Sequence, residues 1–122
     1  MERGAERPVR VLIVEDHRVV AEALASLLGE DERIDIVGTA GSVADAVVGA
    51  IKAEPDVVMM DLRLPDGDGI TATRRLRDSG LNVAILFLTA DPSDESMMRA
   101  VEAGACGYLS KDAGSDELKR FA

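Results

Sequence analysis

The sequence predicts an α/β fold, a parallel sheet with helices on both faces, and three observations carry that prediction. Five apolar runs, VRVLIV, IDIVG, DVVMM, VAILFL and the shorter CGYL, alternate with segments whose apolar residues recur at helical spacing. The runs are rich in β-branched residues and read as strands buried on both faces, which is the habit of a parallel sheet. Phe87, Phe121 and Tyr108 are the only aromatics, so the core has to be built from Val, Ile, Leu, Ala and Met.

Taken in order, residues 1–8 (MERGAERP) form a charged lead-in expected to be disordered, and 9–14 form the first strand, bounded by charge. A first helix is expected over 17–28, with Val20, Leu24, Leu27 and Leu28 on one face and Gly29 and the acidic GEDER ending it. Residues 34–38 read as the second strand and 43–53 as a helix with Ser42 as N-cap, closed by Pro55. The third strand covers 56–60, and the Pro/Gly-rich LRLPDGDG turns the chain into a helix over 70–78 that stops at Ser79-Gly80. A fourth strand at 83–88 leads to Asp91-Pro92-Ser93, which starts a fourth helix through about residue 103. A short strand at 106–109 follows, and Ser115 caps a last helix with Asp116 and Glu117 in its first turn. With about seven residues, roughly 10 Å at 1.5 Å per residue, that helix is expected to be truncated. Strand and helix thus alternate five times, which implies right-handed crossovers, and 122 residues suit one domain.

Composition narrows the function. Fourteen basic against 23 acidic residues give a formal charge of -9, which disfavours phosphate backbones and anionic membrane surfaces as partners. The single Cys106 cannot form an internal disulfide and suits a reducing compartment. The first apolar run is cut by Arg10 and stopped by Glu15, so no signal-peptide core forms, and no run approaches the roughly 20 residues of a membrane span. A cytoplasmic protein without a membrane partner is expected.

Where the strands end is more telling. The first run stops at Glu15-Asp16, the third at Asp61, the fourth at Thr89, and the fifth is followed after Ser110 by Lys111. In a parallel sheet these positions share one edge, the edge at which open α/β sheets bind their ligands. Carboxylates 4 Å apart repel by about 4 kcal/mol at an effective dielectric of 20, so the group calls for a cation or a proton, and Mg²⁺ suits carboxylates beside a phosphate. With a Lys and a Thr hydroxyl at the same edge, the parts are those of a phosphoryl-transfer centre in which Asp61 attacks phosphorus.

Glu15-Asp16, Asp61 in MDLRLPDGDG, Thr89-Ala90 and Tyr108-Leu-Ser-Lys111 together resemble the receiver domain of two-component response regulators, over essentially the whole chain, 9–122. EDHRVV and YLSKDA further resemble the subfamily with a C-terminal helix-turn-helix output domain, the LuxR/NarL/FixJ type. The resemblance implies a flavodoxin-like (βα)5 fold of strand order 2-1-3-4-5. It implies that Asp61 accepts a phosphoryl group from a histidine kinase or small phosphodonor, assisted by Lys111 and Thr89. It implies Mg²⁺ as cofactor, contacted directly by Asp16, Asp61 and the Arg63 backbone carbonyl and through water by Glu15. Thr89 and Tyr108 would be a switch pair that reshapes the face of the fourth helix, fifth strand and fifth helix. The partners implied are the kinase, a homodimer, and DNA only through an output domain absent from this chain. Arg63 and Asp91 fall where the family flanks the path of the hydrolytic water, and their opposite charges imply a pair that slows loss of the phosphoryl group.

The chain departs from the pattern in two places. Asp112 follows Lys111 where most receivers place a Pro in a cis peptide, and a cis non-proline bond would cost about 3–4 kcal/mol. The short last helix removes part of the surface on which such domains dimerise. Simpler readings stand beside the functional ones: Asp61 as a turn residue before Pro65, Glu15-Asp16 as anions at a helix N-terminus, Thr89 as a cap, Lys111 as a solvated side chain, and Tyr108 as a static aromatic. Coincidence of all these types at one sheet edge favours the site. His17, the only histidine, reads as an exposed loop residue, Cys106 as a core residue, and Met97-Met98 as packing or output face. Asp66-Gly67-Asp68-Gly69 is rejected as a calcium loop because position twelve is Arg77 where a ligating Glu is needed. Two rivals remain: an aspartyl-nucleophile phosphatase, disfavoured by Arg63 where a second Asp is needed, and a receiver-like interaction module that signals without phosphorylation.

Overall fold

The computed structural model describes residues 7–89 and the strand at Gly107–Ser110. Its main sheet contains β1 (Val9–Val14), β2 (Ile34–Ala40), β3 (Val57–Asp61), β6 (Ala84–Thr89) and β7 (Gly107–Ser110). The strands run parallel in the order β2-β1-β3-β6-β7. That is the expected 2-1-3-4-5 once two short strands in the turn after Asp61 are set aside. These two, β4 (Arg63–Leu64) and β5 (Gly67–Asp68), pair antiparallel, Arg63 with Asp68 and Leu64 with Gly67. The sequence marks the segment only as a turn, because a strand of two residues leaves no periodicity to read.

Strand alternation sends successive residues to opposite faces, and each face has its own core. Leu12, Val14, Val58, Met60, Ile85 and Phe87 pack under α2 (Val43–Ala53) and α3 (Gly69–Asp78). Val11, Ile13, Met59, Leu86 and Leu88 pack under α1 (Arg18–Gly29). All but a few of these are fully excluded from solvent, and each such side chain contributes about 1.5–3 kcal/mol. The doubly wound arrangement therefore follows from strands that are apolar on both sides.

Some boundaries shift by a residue or more, with identifiable causes. β2 runs on to Ala40, opposite Val14 of β1, with Val37 inserted as a bulge, Val11 pairing with Ile36 and Leu12 with Gly38. The buried face of α1 is centred on Ala21 and Leu28, with Leu24 and Ala25 packed beside them and Val20 at the margin. Val20 was expected on that face; counting Ala as an inward residue moves the stripe. The fourth helix, the last helix, most of the N-terminal lead-in, Cys106 and the Lys111–Asp112 bond lie outside the described residues.

Helix starts fix the turns that matter. Ser42 caps α2 as expected, its Oγ accepting the Asp45 N–H at 3.1 Å. A second acceptor comes from far along the chain: the Asp66 carboxylate takes the N–H groups of Val43 at 2.7 Å and Ala44 at 3.1 Å. Asp68 caps α3 through the Thr71 N–H at 2.7 Å. At the other end of α3, Gly80 takes φ of +81°, where a side chain is disfavoured.

The Val43 and Ala44 N–H groups hold the Asp66 carboxyl below its ordinary 3.8, and Arg75 nearby acts in the same direction. A lowered folded-state value means a contribution present above pH 3.8 and lost as pH falls through the lower value. In urea unfolding at a series of pH values, stability below about pH 4 is expected to fall more steeply for the parent than for Asp66→Asn. Parallel curves would contradict this.

Candidate functional site

Parallel pairing of β1 with β3, Val14 opposite Met60, brings the residues after β1 against the last residue of β3. Glu15, Asp16, His17 and Asp61 each place one ligand atom within 4.8 Å of the others. Glu15 and Asp61 are buried, only 2% and 4% exposed, while Asp16 and His17 face solvent. A backbone bond from Glu15 N–H to the Ala40 carbonyl, 2.9 Å, fixes the turn after β1 to the end of β2.

The turn after Asp61 is held from several sides. Asp61 Oδ1 accepts the Arg63 N–H at 3.2 Å, and the Gly69 N–H donates to the Leu62 carbonyl at 2.9 Å. A Cβ on Gly69 would lie 2.5 Å from the Asp61 carbonyl oxygen and 2.6 Å from Phe87 Cε1. Only glycine therefore lets the start of α3 close against the strand that carries Asp61.

Thr89 ends β6, one residue beyond Leu88, the strand partner of Asp61, and it pairs with Ser110. Tyr108 pairs with Phe87. The backbone of Thr89 and of Ser110 thus reaches the same edge as the acidic group, and Lys111, next in sequence, lies outside the described residues, as does Asp91. Arg63, exposed in β4, sits two residues from Asp61.

His17 is the exposed residue entering α1 that the sequence predicts. Its ring is exposed, yet Nδ1 lies 3.1 Å from Glu15 Oε2 and 3.3 Å from Asp16 Oδ1, and its backbone N–H donates to the same Glu15 oxygen at 3.1 Å. Sequence reasoning looked for a second imidazole or a thiolate; the partners are the preceding carboxylates. Asp66 and Asp68 were missed as caps as well. An Asp three residues before Thr71 at a helix start is a local signal for Asp68, whereas the distant Asp66 contact leaves none.

Three carboxylates so close, two of them buried, repel by about 3–4 kcal/mol per pair at 4–5 Å and a dielectric of 20. Their oxygens form a hard donor set that fits a small divalent cation holding several waters. The same set leaves Asp61 as a carboxylate at a strand end, able to act as a nucleophile once that repulsion is neutralised.

Comparison with known proteins bears on the family and the fold. Residues 11–122 match the family model described as "Response regulator receiver domain". The chain is 47% identical over 112 residues to the DNA-binding transcriptional activator DevR/DosR of Mycobacterium tuberculosis, covering 92% of this chain and 52% of that protein. It is 36% identical over 110 residues to the transcriptional regulatory protein LnrK of Bacillus subtilis, covering 90% and 50%. The chain thus spans about half the length of these curated relatives. Among solved structures, the signal receiver domain of the M. tuberculosis response regulator NarL superposes with a TM-score of 0.89 at 28% identity, covering 94% of this chain and 93% of that one. A LuxR-family two-component response regulator from Aurantimonas sp. SI85-9A1 gives 0.87 at 33% identity, covering 93% and 81%.

Asp61→Asn removes one charge from the cluster and keeps an acceptor for the Arg63 N–H. In EDTA at pH 7 the variant is expected to be more stable than the parent by about 1–3 kcal/mol in urea unfolding, most of one pairwise repulsion. A loss of stability would show that the carboxylates do not strain the pocket.

Proposed function

Because the chain belongs to the response regulator receiver domain family, we propose that it is a phosphorylation switch in which Asp61 accepts a phosphoryl group and the altered charge changes a surface read by an output. The observation that carries the proposal is the buried Asp61 beside Glu15 and Asp16 at the carboxyl edge of the sheet. Receivers of this family take the group from histidine kinases, and a phosphohistidine or an acyl phosphate is the donor chemistry that fits. An Asp61 carboxylate oxygen forms the new bond to phosphorus as the bond to the leaving group breaks, and the leaving group departs with the electron pair. Attack in line with departure requires the nucleophile to be held still, which the Arg63 N–H and the closed start of α3 do.

Asp16, Asp61 and the Arg63 carbonyl would hold Mg²⁺, with Glu15 acting through water. When bound, the ion supplies charge neutralisation for the acidic cluster and for the transferred group's oxygens. Lys111 and Thr89, brought by sequence to the same edge, would ion-pair and hydrogen-bond with those oxygens, and the shift of Thr89 would be coupled to Tyr108. The added charge then biases an equilibrium between two conformations. The transcriptional regulators among the relatives, about twice the length of this chain, support a transcriptional output through a further domain. Among the described residues no helix is long and apolar enough to cross a membrane.

Intact mass after incubation with acetyl phosphate tests the proposal, with and without Mg²⁺ and beside Asp61→Asn. A Mg²⁺-dependent gain of one phosphoryl group that the variant lacks is expected. No gain, with Mg²⁺ binding shown separately, would leave a receiver fold that signals through fixed contacts.

A further inference from the structure

We propose that Asp66 is a positioning residue of this site, a strut that sets the metal-binding turn against the acidic pair through the start of α2. The inference rests on the reading of the pocket as a Mg²⁺-dependent phosphoacceptor and names a residue outside the pocket that controls it.

Asp66 lies at the tip of the β4–β5 hairpin, whose first residue, Arg63, carries the backbone carbonyl assigned to the metal. Both of its carboxylate oxygens leave the hairpin for another element, one on the Val43 N–H at 2.7 Å and the other on the Ala44 N–H at 3.1 Å. A second contact runs beside these bonds: a Cβ on Gly67 would come within 3.2 Å of Val43 Cγ2, so the hairpin tip rests on the first residue of α2. The chain just before α2 is in turn against the acidic pair, since a Cβ on Gly41 would lie 3.9 Å from Asp16 Cα and from the Glu15 carbonyl oxygen.

A continuous path therefore runs from Glu15-Asp16 through Gly41 and Val43 to Asp66, and along the hairpin to Arg63 and Asp61. The hairpin is only two residue pairs long, too short to hold its own orientation. Without the Asp66 bonds the turn would remain tied at Asp61 and Gly69 and through the buried Leu64, and would lose its hydrogen bonds to the start of α2. Ser42 also caps α2, through the Asp45 N–H, but ties the helix only to itself. Asp66 is exposed, so its replacement leaves no buried hole.

This contrast supplies the experiment. Mg²⁺ affinity by calorimetry, the rate of phosphorylation by acetyl phosphate across a Mg²⁺ series, and the melting temperature are measured for the parent, Asp66→Ala, Asp66→Asn and Ser42→Ala. Asp66→Ala is expected to raise the Mg²⁺ Kd about tenfold, in the range found when a group that orients metal ligands is removed. Its phosphorylation rate should fall by the same factor at low Mg²⁺ and approach the parent rate at saturation. Asp66→Asn, which keeps one acceptor oxygen, should recover part of the affinity and serves alone if the Ala variant does not fold. Ser42→Ala should lower the melting temperature and leave the Kd unchanged. An unchanged Kd in both Asp66 variants, or an equal rise in Ser42→Ala, would reduce Asp66 to a helix cap and overturn the proposal. A parent that binds no Mg²⁺ would overturn the reading of the pocket, and with it any metal-binding turn to be positioned.

Discussion

Three carboxylates held within reach of one another at the ends of two neighbouring strands are an unfavourable arrangement. The rest of the molecule is organised around keeping them there. Repulsion of about 3–4 kcal/mol for each pair at such distances is comparable to a large part of a small domain's net stability of about 5–15 kcal/mol. The sheet meets this with strands apolar on both faces and two separate cores, so that its registers are fixed by burial on either side. Pairing of β1 with β3 then leaves Glu15 and Asp61 no route apart. A protein that stores this repulsion responds strongly to any group that relieves it, which is the physical basis of the proposal that the pocket senses a cation and a phosphoryl group.

Around that pocket, rigidity is local and comes from short-range devices. Gly69 removes the side chain that would separate α3 from the Asp61 strand, the Arg63 N–H fixes one acceptor oxygen, and Asp68 and Asp66 terminate helices on either side of the hairpin. None of these groups reacts. They hold the proposed nucleophile and the backbone carbonyl beside it in place, and in phosphoryl transfer positioning and charge neutralisation supply nearly all of the catalysis.

The parts of this molecule that were legible in the sequence are those written in patterns of two or more turns. The strand cores, the order of elements and the Ser42 cap follow from hydrophobic runs and a capping signal, and their agreement with the structure is within a residue or two. Asp61 and Glu15-Asp16 were found because strand ends in a parallel sheet share an edge, an argument from topology that needs no contact information. What escaped was tertiary. The two-residue strands β4 and β5 have no periodicity, the bulge at Val37 is visible only in the pairing of β1 with β2, and Asp66 reaches an N-terminus more than twenty residues earlier. His17 is exposed as expected, and its contacts to the two carboxylates just before it are short-range in sequence.

The central claim, that Asp61 is the nucleophile, is tested most directly by locating the phosphoryl group. The protein is incubated with acetyl phosphate and Mg²⁺, reduced with borohydride to convert an aspartyl phosphate to homoserine, and mapped by peptide mass spectrometry. Homoserine at position 61 alone is the predicted result; homoserine at position 16, or none at 61 in protein shown to carry the group, would contradict the account.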